Sequence, residues 1–283
     1  MYERIGQGRK GVGMVYFVGA GSGAPDLITV RGQRLLSGAD VVIYAGSLVN
    51  PELLKSVKAG CALYDSAKMT LEQVIQTMER AEEKNLMTVR LHTGDPSLYG
   101  AVREQMDALR RRQIPFAVCP GVSSFQAAAA ALQCEYTLPG VSQTVILTRC
   151  PGRTPVPEKE SLALLASHRA SMVLFLSAGR TEQVMRELIH GGYPPDTPAA
   201  ICYHLGFPDE KRICCRLDSL SRCAQENGIH KTALLLVGGF LGDTYDRSKL
   251  YDPGFSTGYR SADPAAHLHE DGGSDSTEAH PVP

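Results

Sequence analysis

The stretch VYFVGAGSGAPDLIT, residues 15–29, joins an apolar strand to a glycine-rich turn and then leads towards a helix. Glycines at 19, 21 and 23 let the backbone bend sharply and come close to a ligand with no side chain in the way. Two later stretches share this layout. MTVRL (87–91) runs into His92-Thr93-Gly94-Asp95-Pro96, and PFAVC (115–119) runs into Pro120-Gly121-Val122-Ser123-Ser124. Strand-to-loop junctions of this kind place a ligand cleft at the carboxyl ends of a parallel sheet.

Outward from these junctions the chain alternates strand and helix. Strands are expected at 14–19, 41–45, 61–64, 87–91 and 115–119, with helices at about 27–37, 50–57, 71–84, 97–111 and 123–132. In the third of those helices Leu71, Val74, Ile75 and Met78 recur at helical spacing and make one buried face. Alternation of this kind implies a parallel sheet covered by helices. The rhythm breaks over QCEYTLPGV (133–141), where a domain boundary is expected. Beyond it the pattern reads strand 143–149, helix 158–167, strand 171–176, helix 181–190 and strand 199–203. A charged arm (208–216), a helix (218–226) and an apolar strand (233–237) follow. The resulting plan is a flexible leader 1–13, an N-terminal α/β domain 14–137, a C-terminal α/β domain 138–243 and a disordered tail 244–283. Met14 offers a second start site. The tail is rich in Asp, Ser, Gly, His and Pro, too polar to form a core, so His267 and His269 read as solvated.

Bulk properties narrow the class. An apolar fraction of 43% with 21% charged residues is that of a soluble globular protein. A net charge of -1 argues against a general nucleic-acid binder, which needs excess Lys and Arg. No apolar run reaches the roughly 18–20 residues that span a membrane, and MYERIGQGRKGVG lacks the apolar centre of a secretion signal. The eight cysteines (61, 119, 134, 150, 202, 214, 215, 223) form no CxxC pair, so no metal site is expected. They read as buried free thiols of a reducing cytoplasm.

Each motif has a functional and a structural reading. Gly19-Ala20-Gly21-Ser22-Gly23-Ala24 satisfies G-x-G-x-x-A, but the dinucleotide reading needs an acid after the second strand, and Asp40 precedes it. A plain tight turn is the other reading. Asp95 and Pro96 suit the cap and first turn of a helix, or Gly94 and Asp95 meet a polar ligand. Ser123 with Gln126 forms a capping box, or its hydroxyl binds a ligand. Arg110-Arg111-Arg112 ends a helix, where cations complement the dipole. His92 and His204 read as ordinary hydrogen-bonded histidines. No catalytic triad or carboxylate pair stands out, so the catalytic residues stay unassigned and a bound cofactor is expected to carry the chemistry. A nucleotide-dependent oxidoreductase and a non-catalytic binding module stay open on these motifs alone.

Taken in order, the motifs resemble the tetrapyrrole methylase family, S-adenosylmethionine-dependent enzymes that methylate porphyrinoid and corrinoid precursors, over about Val15 to Gly242. DVVIYAGSLVNPELL (40–54), LHTGDPSLYGAVREQM (91–106), PGVSSFQAAAAAL (120–132) and LPGVSQTVILTR (138–149) look like its precorrin-4 / cobalt-precorrin-4 C-11 methyltransferase branch. The resemblance implies two α/β domains with the active-site trough between them, S-adenosyl-L-methionine as cofactor, a tetrapyrrole substrate and a homodimer. By residue-wise match the cofactor contacts fall on Ser22, Thr93, Gly94, Asp95, Leu98, Ser123, Ser124, Leu176, Leu205, Thr232 and Ala233. The substrate carries many carboxylates, for which Arg103, Arg149, Lys68 and Arg31 are the candidate partners. Two stretches depart from the family pattern: GSGAP replaces the commoner GPGDP, and HLGFPDEK lacks the usual small residues before PDEK.

Overall fold

The computed structural model describes residues 13–46 and 48–263. The expected leader, up to residue 12, and residues 264–283 of the expected tail lie outside them. The described residues form two compact units: 13–132 with Cys202–Arg212, and Gln133–Ile201 with 213–263.

In the first unit, strands β1 (Val15–Gly19), β2 (Val41–Tyr44), β3 (Ala62–Asp65), β4 (Thr88–His92) and β5 (Phe116–Cys119) form one sheet in the order β3-β2-β4-β1-β5. Every pairing is parallel. Strand period sends alternate residues to opposite faces, and both faces are covered. Val15, Phe17, Val41 and Ile43 pack with Val74, Ile75 and Met78 of α2 (Leu71–Glu82) and Leu109 of α3 (Arg103–Arg111). Tyr16, Val18, Val42, Val89 and Leu91 pack with Leu36 of α1 (Val30–Gly38). Each fully buried Leu or Ile contributes about 1.5–3 kcal/mol by leaving water. Helix α2 opens on the Thr70–Gln73 capping box, and α4 is Ser124–Ala131.

Three expected helices of the first unit are revised. The one expected at 27–37 starts later: Pro25–Leu27 is a 3-10 turn, and Thr29 caps α1 by accepting from the Gly32 amide at 3.0 Å. Residues 50–57 hold a 3-10 segment, Pro51–Ser56, capped by Asn50. The helix expected at 97–111 begins only at Arg103. Residues 96–102 instead form a folded loop in which Tyr99 (φ 54°) and Ala101 (φ 48°) are left-handed. Apolar periodicity alone cannot register that loop.

The second unit has a mixed sheet. Strands β6 (Val145–Arg149), β7 (Ser171–Phe175), β8 (Pro198–Tyr203), β9 (Lys211–Arg216) and β10 (Ala233–Val237) take the order β6-β7-β10-β8-β9. β6 and β7 are parallel, whereas β10 runs antiparallel to β7. The helix expected at 158–167 is also revised: Glu158–Glu160 is a 3-10 turn, Ser161 is non-helical, and only Leu162–Ala166 (α5) is α-helical. Helix α6 (Thr181–His190) packs between α5 and α7 (Leu220–Glu226). The charged arm expected at 208–216 contains β9, a strand at the sheet edge. Residues 244–263 carry a 3-10 turn at Lys249–Tyr251, with Arg260 donating to the carbonyls of Leu250 and Asp252. None of the eight cysteines is in a disulfide; Cys119, Cys150 and Cys202 are buried as expected, but Cys214 is exposed because residues of an edge strand alternate outward. Among the described residues no helix is long and apolar enough to cross a membrane.

Candidate functional site

In the first unit the neighbouring parallel strands β1 and β4 send their following helices to opposite faces. Helix α1 joins the Tyr16–Val18 face and α3 the Phe17 face. The carboxyl ends of two such strands are the usual ligand position in sheets of this kind.

The loops after β1, β4 and β5 meet there backbone to backbone. Gly21 and Gly94 form an antiparallel bridge, with Gly94 N donating to Gly21 O at 2.7 Å. A Cβ on Gly19 would lie 2.6 Å from Gly121 Cα, Gly121 N and Gly94 O alike. These glycines are needed for close approach as much as for turning. Gly94 faces the start of α4, where an added Cβ would sit 3.5 Å from Ser123 Cα and 3.6 Å from Ser124 N.

Asp95 staples the second loop to the third. Its Oδ2 accepts from Gly121 N at 2.8 Å, and its Oδ1 accepts from Ser97 N at 2.8 Å and from the Ser97 hydroxyl. Burial pushes this carboxyl up, but the donors from Ser97 and Gly121 outweigh it and hold it below the usual value. Asp95 thus caps a turn and not a helix, since α3 starts eight residues later. The capping reading of Ser123 holds: Gln126 Oε1 accepts from Ser123 N at 2.7 Å. Asp95, Ser97, Leu98, Pro120, Gly121 and Ser123 line part of a cavity of about 360 Å³.

Leu205 also reaches the glycine turn, for a Cβ on Gly23 would collide with its carbonyl oxygen. The loop that carries it is stiffened by the His204 ring stacked on Phe207 (centroids 4.0 Å apart, planes at 7°) and paired with Asp209. Asn50 Nδ2 donates to Gly23 O at 2.9 Å. Both departures from the family pattern, GSGAP and HLGFPDEK, therefore touch each other.

Strained backbone separates into two groups. Asn85, Gln113, Gln133 and Arg169 have positive φ just past the ends of α2, α3, α4 and α5, the ordinary left-handed helix stop. The remaining non-glycine cases are Tyr99, Ala101, Leu176, His204 and Thr232, all in loops that hold or adjoin the residues singled out from sequence. Such strain clusters at functional sites. In the second unit, Leu176 (φ 53°) is 71% exposed directly after β7. Leu235 pairs with Leu174 in antiparallel register, so the start of β10, which follows Thr232, lies at the end of β7 that Leu176 follows. An exposed leucine held at such a cost suits an apolar ligand wall.

The candidate cations are dispersed. Arg149, at the same end of its sheet as Leu176, donates to the carbonyls of Thr154 (3.2 Å) and Pro155 (2.6 Å). Arg103, exposed at the start of α3, pairs with Asp107 at 2.9 Å. Arg31 lies exposed on α1, and Lys68 is exposed beyond the outer strand β3, away from the loops of β1, β4 and β5. Thr93 is exposed and Ser22 buried. The Ser22 hydroxyl and His92 Nε2 have no hydrogen-bond partner among the described residues. Asp40 is bonded to Lys58 and to Met87 N (2.8 Å), so it offers nothing to a ribose. Sequence reasoning missed Asn50, Ser97, Arg90 and Gln105. Of these only Arg90 carries a signal, a charge inside the apolar strand MTVRL.

This arrangement has known counterparts. The family model for Tetrapyrrole (Corrin/Porphyrin) Methylases matches residues 14–221. The chain is 49% identical over 249 residues to a cobalt-precorrin-4 C(11)-methyltransferase of Methanocaldococcus jannaschii, covering 88% of this chain and 96% of that one. It is 44% identical over 250 residues to a precorrin-4 C(11)-methyltransferase of Pseudomonas aeruginosa, covering 85% and 99%. The X-ray structure of a cobalamin biosynthetic enzyme, cobalt precorrin-4 methyltransferase, superposes with a TM-score of 0.80 at 46% identity, covering 81% and 96%. Uroporphyrin-III C-methyltransferase of Thermus thermophilus, solved with S-adenosyl homocysteine, gives 0.67 at 26% identity, covering 81% and 93%. With fold, loop chemistry and sequence agreeing over most of its length, the chain belongs to the tetrapyrrole (corrin/porphyrin) methylases.

Proposed function

We propose that this protein is an S-adenosylmethionine-dependent methyltransferase acting on C-11 of precorrin-4 or cobalt-precorrin-4 in corrin-ring synthesis. The observation that carries the reading is the backbone junction of Gly19, Gly94 and Gly121, stapled by Asp95, in a chain nearly half identical to enzymes of that name. The residues fit a nucleoside: the junction itself is closed backbone to backbone, but it holds together the loops whose Asp95, Leu98 and Ser123 line the cavity, and the Ser22 hydroxyl next to Gly21 is buried with no partner among the described residues.

In the first unit we assign donor contacts to Ser22, Thr93, Gly94, Asp95, Leu98, Ser123, Ser124 and Leu205; in the second, to Leu176, Thr232 and Ala233. When bound, S-adenosylmethionine supplies a methyl group already activated on a sulfonium. Transfer to a nucleophilic ring carbon needs alignment more than a strong base, and alignment is worth roughly 7–11 kcal/mol. Both Asp95 oxygens are taken by internal donors, so Asp95 holds loops together and moves no proton. An apolar wall such as Leu176 excludes water while positive charge on sulfur disappears. Arg103, Arg149, Lys68 and Arg31 are proposed partners of the substrate carboxylates; among them Arg149 must first release two loop carbonyls. A homodimer and a cytoplasmic location rest on the family resemblance and cysteine usage.

The test is direct. Purified protein is incubated with labelled methyl donor and precorrin-4, with and without cobalt, and the label is located by NMR. Label at C-11 is the expected result, and label at another carbon or none refutes the assignment. Calorimetry with S-adenosylhomocysteine and NADH separates this reading from an oxidoreductase, since only the first should bind.

A further inference from the structure

A buried cation of the first sheet lies outside the three loops. Arg90 stands in the middle of β4 with 7% of its surface exposed. Its guanidinium donates through Nε to Gln105 Oε1 at 3.1 Å and through Nη1 to the Ile43 carbonyl at 3.1 Å. Among the described residues it forms no ion pair, and burial brings its pKa down to about 10. Taking an uncompensated cation out of water is expensive. A core of Val15, Phe17 and Ile43 requires no charge for its packing, so the hydrogen bonds must accomplish something that an apolar side chain could not.

They reach the strained loop. Gln105, also buried, accepts from Arg90 and passes its own Nε2–H on to the Ala101 carbonyl at 2.9 Å. Ala101 and Tyr99 are left-handed, a state that non-glycine residues keep only where the surroundings enforce it. The chain of bonds thus runs from the end of β2 through β4 and α3 to the loop 96–102, which starts beside Asp95 and carries Leu98. We propose that Arg90 and Gln105 are positioning residues that hold this loop, and Leu98 with it, in the form that binds the methyl donor. The proposal rests on the reading of the glycine junction as the donor site.

Gln105→Glu separates this role from plain structural support. A carboxylate still accepts from Arg90, and adds an opposite charge, but has no proton to give the Ala101 carbonyl. The fold keeps its anchor and the loop loses it. In the full-length protein, thermal unfolding of Gln105→Glu is expected at or above the wild-type temperature. Its Kd for S-adenosylhomocysteine should rise about tenfold, as for one lost hydrogen bond to an ordered loop. The KM for the donor should rise with it while kcat changes little, and amide exchange should quicken over 97–102 only. Wild-type affinity, or unchanged exchange over 97–102, overturns the proposal. If Gln105→Glu unfolds early, Gln105→Met is measured as well, and retention of wild-type affinity there also overturns it. A wild-type protein that binds no S-adenosylhomocysteine overturns the donor-site reading and this proposal with it, and is told apart because the loss is then common to every form.

Discussion

Replacing Gly19 by Ala tests whether contact between the loops makes the site. Gly19 has no positive φ, so alanine costs the local backbone nothing special. Its Cβ, however, would lie 2.6 Å from three backbone atoms where ordinary contact starts at 3.4 Å, so the loops must part by about 0.8 Å. None of the three is the end of a flexible side chain that could swing away. Overpacking of this kind costs about 1–3 kcal/mol, which lowers the unfolding temperature by roughly 2–4 °C per kcal/mol in a chain of this size. A displacement near 1 Å is also enough to cost about 100-fold in an aligned reaction. Gly94→Ala is the contrast. Its Cβ finds ordinary space at 3.5 Å, so the cost is that of φ 60° alone, about 1–2 kcal/mol, and the loops stay together. Gly258→Ala, with nothing within 4 Å, is the neutral control. Calorimetric titration with S-adenosylhomocysteine and thermal unfolding read all of these variants. Gly19→Ala should lose at least tenfold in affinity, Gly94→Ala clearly less, and the control nothing. Equal affinities for Gly19→Ala and the wild type would refute the claim that loop contact builds the site.

Two further outcomes are expected. Burial, with the Arg90 charge second, holds the His92 pKa down to about 3 from 6.5. Because the folded value is the lower one, His92 contributes fully above pH 6.5, and that contribution is lost as the pH falls towards 3, at most about 1.4 kcal/mol per pH unit. Phe suits the site, since the His92 ring already stacks on Phe17. Urea unfolding of His92→Phe between pH 7 and 5 should therefore lose less stability than the wild type, and equal losses would count against a neutral buried imidazole. Arg103→Ala removes only an exposed pair with Asp107, which adds little to stability. Its unfolding temperature should hold while the KM for the tetrapyrrole rises, and an unchanged KM would remove Arg103 from the substrate site.

The sequence by itself determined the three strand-to-glycine junctions, the parallel sheet of the first unit, the capping box at Ser123 and the family, because these are local patterns: apolar period, turn residues and cap chemistry lie within a few positions of one another. It failed where one chain neighbour gives no information about a distant one. The start of α3 is not legible in the sequence, because Asp95 and Pro96 look like a helix start until the Gly121 amide takes the carboxylate. Only tertiary structure decided that Gly19, Gly94 and Gly121 touch, that antiparallel β10 starts at the end of β7 that Leu176 follows, and that Arg90 reaches Ala101 through Gln105. Those contacts depend on strand order and register, which are set by the packing of whole faces and leave no trace in the spacing of any single motif.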